Sequence, residues 1–248
     1  MLSAPSAAFA GAWTLPPGAG QIMVTTTTST ADHVFGAGPT PRYDKTELQA
    51  LIEYGFTDRF TGILTPGLQH VDIAAPTSAQ RSGLGYTEAG GRYKFIQGDA
   101  WVLSGQATLR VPGTSDTSNP AAIGYTGIET DVRALFGYTF AAGPWPAFVD
   151  LELGQRLRAG APPDELRFDA TFGVRPVARW LLLAQSFNVV SEGAGAPPFG
   201  GYGYYKFQLS GVYELTPALS IQAGAFTTYA GSNALRENGL IFGAWYRF

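Results

Sequence analysis

Acidic and basic side chains alternate with uncharged ones in several stretches of this 248-residue chain. Around Glu129, Asp131 and Arg133, every second residue is charged. Residues two apart lie on one face of a β-strand, so each stretch would present its charges on one side. Such charges can line an ion path, form ion-pair networks or bind a hard cation. The candidate lumen or pore-lining residues are Glu88, Arg92, Lys94, Arg110, Glu129, Asp131, Arg133, Asp150, Glu152, Arg156, Arg167, Asp169, Lys206 and Glu214.

The residue types of the chain offer few ligands for a metal or a cofactor. The chain has no Cys, which removes disulfides, thiolate nucleophiles and most structural zinc sites. Glu129, Asp131 and Asp150 could together bind a hard cation, but the neighbouring Arg133 favours ion pairing instead. We therefore predict no metal site and no cofactor.

Catalysis would have to use one of two histidines, His33 or His70. A hydrolase that modifies lipids needs a nucleophile beside a histidine. Neither histidine stands in a motif such as G-x-S-x-G or H-E-x-x-H. We predict no catalytic residues and no enzyme activity, and keep a lipid-modifying enzyme that uses His70 as a minor alternative.

Alternating runs bounded by turn residues fill the chain and are typical of β-strands. Pro and Gly interrupt every window long enough for an amphipathic helix. About ten residues suffice for a tilted strand to cross a bilayer. We predict twelve strands, over Gln21–Ala31, Lys45–Gly55, Phe60–Val71, Gly83–Ile96, Ala100–Val111, Gly127–Phe140, Pro146–Leu157, Glu165–Val174, Trp180–Val190, Tyr202–Leu215, Leu219–Tyr229 and Asn238–Phe248.

The connectors between these runs alternate in length. Tight turns such as "QGD" and "TPA" follow every second strand, and longer Pro/Gly/Ser-rich connectors such as "DHVFGAGPTPRY" follow the others. A transmembrane barrel has short periplasmic turns and longer outer loops, whereas a soluble sandwich has no reason for this regularity. An even strand number places both termini on the short-turn, periplasmic side. In hydrocarbon no strand edge can stay unpaired, so the first strand must pair with the last.

The two faces of each predicted strand differ in polarity. In the second strand, Leu48, Ile52 and Tyr54 share an apolar face, while Glu47 and Glu53 share the other. A soluble sandwich predicts the same alternation, but aromatic residues also cluster beside the short turns, as in an interfacial girdle. These aromatics are Tyr54, Phe95, Trp101, Tyr138, Phe140, Trp145, Trp180, Tyr213, Tyr246 and Phe248. We therefore predict an all-β, twelve-stranded antiparallel transmembrane β-barrel. The strand Trp180–Val190 does not assign cleanly to faces, and Pro66 predicts a bulge in the third strand.

Overall composition excludes several classes of protein. Charged residues make up 14% of the chain, against about 25% in soluble domains. The net charge of −3 and the absence of Lys/Arg runs argue against a nucleic-acid-binding protein, because no basic patch is predicted. No apolar window of about 18 residues exists, which excludes a membrane-spanning helix.

Met1–Ala10 resembles the end of a signal peptide, with a flexible tail as the alternative, and residues 11–248 form the predicted barrel.

The C-terminal run "GLIFGAWYRF" resembles the last strand of Gram-negative outer-membrane proteins. Gly243, Tyr246 and Phe248 match the assembly signal of that class, while Ile241 replaces its usual polar residue. The resemblance implies a bacterial outer-membrane location. It also implies lipids, lipopolysaccharide and the barrel-assembly machinery as partners.

The start "GAWTLPPGAGQ", a Thr-rich strand and "EYGFTDRF" resemble XagA-like and phenol meta-pathway outer-membrane barrels. Such proteins are named as transporters or as accessories of exopolysaccharide production, and the match carries over no functional residues.

Barrels of eight strands are filled by side chains and those of sixteen hold a channel, so a barrel of twelve strands could have either a filled or an open lumen. We predict a porin-like channel for a small or extended polar solute. The alternative is a closed accessory barrel linked to surface polysaccharide or adhesion, acting through its outer loops.

Overall fold

The alternating runs form the wall of a closed antiparallel β-barrel in the computed structural model, which describes residues 11–113, 118–121 and 127–248. The signal-peptide prediction for residues 1–10 lies outside this part. No helix among the described residues is long and apolar enough to cross a membrane. The strands are β1 (Gly20–Val34), β2 (Gly38–Thr57), β3 (Phe60–Thr65), β4 (Gly67–Ile73), β5 (Ala79–Leu84), β6 (Thr87–Gln97), β7 (Trp101–Val111), β8 (Glu129–Ala142), β9 (Trp145–Arg158), β10 (Glu165–Val177), β11 (Trp180–Ser191), β12 (Gly203–Glu214), β13 (Leu219–Ser232) and β14 (Asn238–Arg247).

Two of the twelve wall strands are interrupted, which accounts for the fourteen segments. Strands β3 and β4 both pair with β2 and are separated by Pro66, which has no N–H for a ladder hydrogen bond. Strands β5 and β6 are likewise two parts of one wall strand, paired with β4 and β3. The Ala50 N–H still donates to the Pro66 carbonyl at 3.1 Å, so the neighbouring strand stays paired across the break. The predicted twelve-stranded antiparallel barrel is confirmed.

The barrel closes between its first and last strands. Strand β1 pairs with β14 from Gln21 opposite Arg247 to Thr30 opposite Asn238, and with β2 on its other side. Beyond the ladder, the Gly20 N–H donates to the Phe248 carbonyl at 2.8 Å. No strand edge is therefore left unpaired at this seam, as a bilayer requires.

The two ends of the barrel carry different connectors. The turn end, defined by residues 58–59, 98–100, 143–144, 178–179 and 215–218, also holds Gly20 and Phe248. The opposite end is called the loop end.

One predicted long connector, the one between the first two strands, is wrong. Strands β1 and β2 stay paired up to Val34 opposite Gly38, and only residues 35–37 join them. Gly36 and Gly38 adopt positive φ of 85° and 91°, which allows this tight turn where a long loop was expected.

Alternation sorts the side chains of the wall into an outer and an inner face. On β8, Val132, Phe136 and Tyr138 are exposed on the outside, whereas Leu135 is 1% exposed and faces the lumen. Eight of the ten aromatics predicted at the short turns are exposed at the turn end. The rings of Tyr246 and Phe248 stack there at 5.9 Å. This arrangement fits an aromatic girdle at a membrane interface.

Strand β11 explains why its sequence could not be assigned to faces. Leu182 is 45% exposed on the outside, while its neighbours Leu181 and Leu183 are buried in the lumen. Both faces of this strand are therefore apolar, which removes the alternation from the sequence. The inward leucines join an apolar cluster inside the barrel, together with Met23 and Trp245.

Candidate functional site

The inner faces of β8, β9 and β10 meet in a network of ion pairs centred on Arg133. Its guanidinium lies 2.6 Å from Asp131, 2.8 Å from Glu152 and 2.7 Å from Asp169. Tight pairing across the β8–β9 turn brings Arg133 beside Glu152. Arg133 is 12% exposed and Asp131 is 1% exposed, so these charges are held away from bulk water. Charge-assisted bonds of this kind fix the wall geometry more firmly than surface ion pairs do.

Toward the loop end, the same network continues around Glu129, which is 2% exposed. Glu129 pairs with Arg110 and accepts a hydrogen bond from Arg158 at 2.9 Å. Arg158 also lies 3.2 Å from Glu165, which accepts a bond from Tyr202. Arg167 lies 3.1 Å from Glu165 and extends the network along β10. The loop-end half of this wall is thus packed with paired charges.

The predicted lumen residues fall into three groups. Most of them lie in or beside the Arg133 network: Glu88, Arg92, Arg110, Glu129, Asp131, Arg133, Asp150, Glu152, Arg156, Arg167 and Asp169. Lys206 stands apart on β12 and pairs with Glu237 at 2.9 Å. Glu214 and Lys94 lie near the turn end, where they pair with Arg175 and Gln97. That all of them line a solute path stays a prediction.

Residues 11–19 enter the lumen from the turn end instead of starting a strand. The Ala12 N–H donates to Asp150 at 2.6 Å, and the Leu15 N–H donates to Thr61 at 2.8 Å. Arg92 donates to the Trp13 carbonyl at 2.9 Å. Ala12 is fully buried. We call residues 11–19 the lumen segment; it occupies the turn-end half of the barrel.

Two glycines of the wall leave room for the lumen segment. A Cβ at Gly137 would overlap the ring of Trp13, and a Cβ at Gly55 would clash with the carbonyl oxygen of Pro16. Trp13 also meets Phe148 edge-on, with ring centroids 6.1 Å apart. The wall is therefore shaped to receive this segment.

An apolar cluster faces the lumen segment across the barrel. Met23, Leu181, Leu183, Val212 and Trp245 form it, and all five are less than 9% exposed. Leu51 and Phe148 pack against it. The lumen is consequently apolar on the side of this cluster and charged on the side of the Arg133 network.

Between these two sides lies a cavity of about 480 Å³, within the size range of small-molecule sites. Neutral amides contribute to its wall, among them Gln49, Gln185 and Gln208. The Gln208 amide donates to Gln185 at 2.9 Å. The charged side chains that border it are Glu88, Arg92, Arg133, Asp150, Glu152 and Asp169. Charged, amide and apolar groups can therefore all reach one bound molecule.

Sequence reasoning missed several residues of this site. Nothing in the sequence indicates that the lumen segment enters the barrel, because its contacts are with residues tens to more than a hundred positions away. Arg158 was counted in a connector, yet β9 extends through it. Its charge one alternation beyond Arg156 was the signal that could have placed it on the inner face.

The two histidines do not form a recognisable catalytic group. His33 contacts Asp32 at 2.6 Å, and both side chains are more than half exposed. His70 lies 2.7 Å from the Ser82 hydroxyl, but its other ring nitrogen is 3.5 Å from a Gln80 nitrogen, and within the described part of the chain no carboxylate bonds to the ring. A triad needs that orienting bond. No cluster of metal-binding side chains occurs within residues 11–113, 118–121 and 127–248.

Comparison with known proteins supports the fold. No protein-family model and no curated protein sequence matches the chain. Its structure is similar to the COG4313 outer membrane channel from Pseudomonas putida F1, with a TM-score of 0.77 and 16% identity over 96% of this chain and 98% of that one. It is also similar to the translocator domain of the autotransporter NalP from Neisseria meningitidis, with a TM-score of 0.58 and 12% identity over 94% and 90%. The NanC porin gives a TM-score of 0.56 and 8% identity over 91% and 98%.

These likenesses concern architecture, because identity is low throughout. The chain has the transmembrane β-barrel fold of outer-membrane proteins. The finer resemblance to XagA-like and phenol meta-pathway barrels is confirmed by none of these three structures.

Proposed function

We propose that this chain is a channel of the bacterial outer membrane that passes a small or extended polar solute, with both termini in the periplasm. The observation that carries the proposal is the cavity inside the barrel, bordered by charged and amide side chains. The architectural likeness to an outer membrane channel and to a porin supports it.

The charge network suits a channel wall because its members are fixed before a solute arrives. Arg133 is held by three carboxylates at 2.6–2.8 Å, and Arg92 lies 3.0 Å from the buried Glu53. Fixed charges can guide a polar solute without the cost of reorganising the wall. Asp150 and Glu152, on adjacent inward positions of β9, would meet the solute in the cavity.

A closed accessory barrel, acting in surface-polysaccharide assembly or adhesion through its loops, is the second candidate. The lumen segment favours it, since residues 11–19 narrow the turn-end half of the lumen and Ala12 and Leu15 are buried there. In that case the ion pairs would serve as packing.

Single-channel recording on the refolded chain in planar bilayers decides between the two. A channel gives discrete conductance in the unchanged chain, and the conductance rises when Trp13→Ala loosens the lumen segment. A barrel that is folded by heat-modifiable migration on gels, yet silent with and without this substitution, would refute the channel and favour the accessory role.

Location and orientation can be tested in intact cells, because the chain has no native cysteine. Glu192→Cys lies in a long connector and Asp99→Cys in a short turn, and both positions are exposed. We expect a membrane-impermeant maleimide to label the first in intact cells. The second should be labelled only after the outer membrane is permeabilised. The reverse pattern would overturn the proposed orientation.

A further inference from the structure

The cavity in the barrel changes from apolar to acidic along a single strand. Phe148, Asp150 and Glu152 occupy successive inward positions on β9, and all three border the cavity. Phe148 packs against the apolar cluster that contains Leu183 and Trp245. A molecule lying along this strand would therefore meet an apolar surface at one end and two carboxylates at the other.

Charge at the cavity border is unbalanced. Glu88, Asp150, Glu152 and Asp169 stand against Arg92 and Arg133, which leaves two carboxylates in excess among the bordering residues. Both arginines already have partners beyond the border, because Arg92 pairs with Glu53 and Arg133 pairs with Asp131. A cation would offset this excess negative charge and would share Glu152 with Arg133, which lies 2.8 Å from it, whereas an anionic ligand would add to the excess.

The cavity has a more apolar lining than a path for bare ions would need. Leu51, Leu181 and Trp245 border the same space as the acidic pair. Small-molecule sites combine a mostly apolar lining with a few polar groups that fix orientation. The cavity has both parts and a volume of about 480 Å³, which suits an organic molecule rather than a hydrated ion.

We infer that this cavity binds a small amphipathic organic cation, with its ammonium group on Asp150 and Glu152 and its aromatic or aliphatic body on the cluster around Trp245. The inference deepens the proposed function by naming a class of solute. Binding needs an accessible cavity but no through conduction, so the two ideas can be tested separately.

The test uses three probes with similar bodies: phenethylamine, 2-phenylethanol and 3-phenylpropionate. Binding to the detergent-refolded barrel is measured by calorimetry. We expect phenethylammonium to bind about tenfold more tightly than the alcohol, a difference typical of one charge-assisted contact, and the carboxylate to bind most weakly. Equal binding of all three, or tightest binding of the carboxylate, would overturn the inference.

Substitutions locate the site. Glu152→Gln should weaken phenethylammonium binding about tenfold and leave 2-phenylethanol nearly unchanged, because it removes charge and keeps shape. Leu183→Ser should weaken both probes. The matched control is Glu192→Gln, an exposed carboxylate in a connector, which should change neither. An unchanged affinity for phenethylammonium in the Glu152→Gln barrel, with its folding verified by heat-modifiable migration, would refute the cation site at Asp150 and Glu152.

Conductance separates this inference from the channel proposal. Phenethylammonium should block the single-channel current of the unchanged chain more strongly than 3-phenylpropionate does. Binding without any conductance would refute the channel and keep the site. Conductance without phenethylammonium binding would refute the site and keep the channel.

Discussion

Trp13→Ala should release the lumen segment from the barrel interior. The ring of Trp13 packs on Ala12, Val102 and Leu135 and meets Phe148 edge-on. Because Trp13 is only partly buried, its removal should cost less than the 3–5 kcal/mol of a fully buried tryptophan, and we take about 2 kcal/mol. That loss corresponds to about a thirtyfold rise in the population of the released segment.

Labelling of a cysteine placed in the segment measures this population. The chain has no native cysteine, and Ala12 is 0% exposed, so Ala12→Cys should resist a polar maleimide while the segment is docked. Adding Trp13→Ala should raise the labelling rate about thirtyfold, since labelling follows the population of the open form. Pro17→Cys is already exposed and serves as the control, with the same fast rate in both backgrounds.

Two results would refute this reasoning. Ala12→Cys could label as fast as Pro17→Cys in the otherwise unchanged chain, which would mean that the segment is not docked. Alternatively, Trp13→Ala could leave the rate unchanged in a folded barrel. The hydrogen bonds of Ala12 and Leu15 would then hold the segment without help from the ring.

Further substitutions test other parts of the barrel. Gly55→Ala places a Cβ against the carbonyl of Pro16 and should raise Ala12→Cys labelling without changing any side chain of the segment. Arg133→Met leaves the buried Asp131 and Asp169 and the partly buried Glu152 without their shared partner and should destabilise the barrel by about 3–5 kcal/mol in urea titrations, whereas the exposed Arg236→Met should change it little. Phe248→Asp should reduce the amount of protein in the outer membrane more than it alters conductance; normal levels would contradict an assembly role for the terminal ring.

The wall of the barrel was predictable because its signal is local. A period of two needs only neighbouring residues, so the strand carrying Val132 and Phe136 on one face and Asp131 and Arg133 on the other is visible in the sequence. Strand β11 shows the limit of this signal. Leu181 and Leu183 face an apolar cluster inside the barrel, and the alternation disappears where the lumen itself is apolar.

The candidate site was predictable only where a tight turn fixes the register. The short β8–β9 turn brings Arg133 to Glu152, and this pair could be placed from the sequence. The contact of Ala12 with Asp150 spans 138 residues, and nothing local marks it. The hairpin of β1 and β2 was missed for a different reason, because Gly and Pro around Gly36 read as a long loop although the ladder continues to Gly38.

The arrangement of the lumen limits what a channel of this kind could pass. Paired charges fill the loop-end half of one wall, and an apolar cluster around Trp245 lies toward the turn end. Apolar constrictions resist bare ions because water leaves them readily. If the proposed route runs through both regions, its solute must satisfy carboxylates such as Glu152 and then tolerate an apolar surface. An inorganic ion meets only the first requirement, whereas an amphipathic organic cation meets both. For that reason the response of the current to phenethylammonium, compared with 3-phenylpropionate, tests whether the carboxylates beside the apolar surface select a cation.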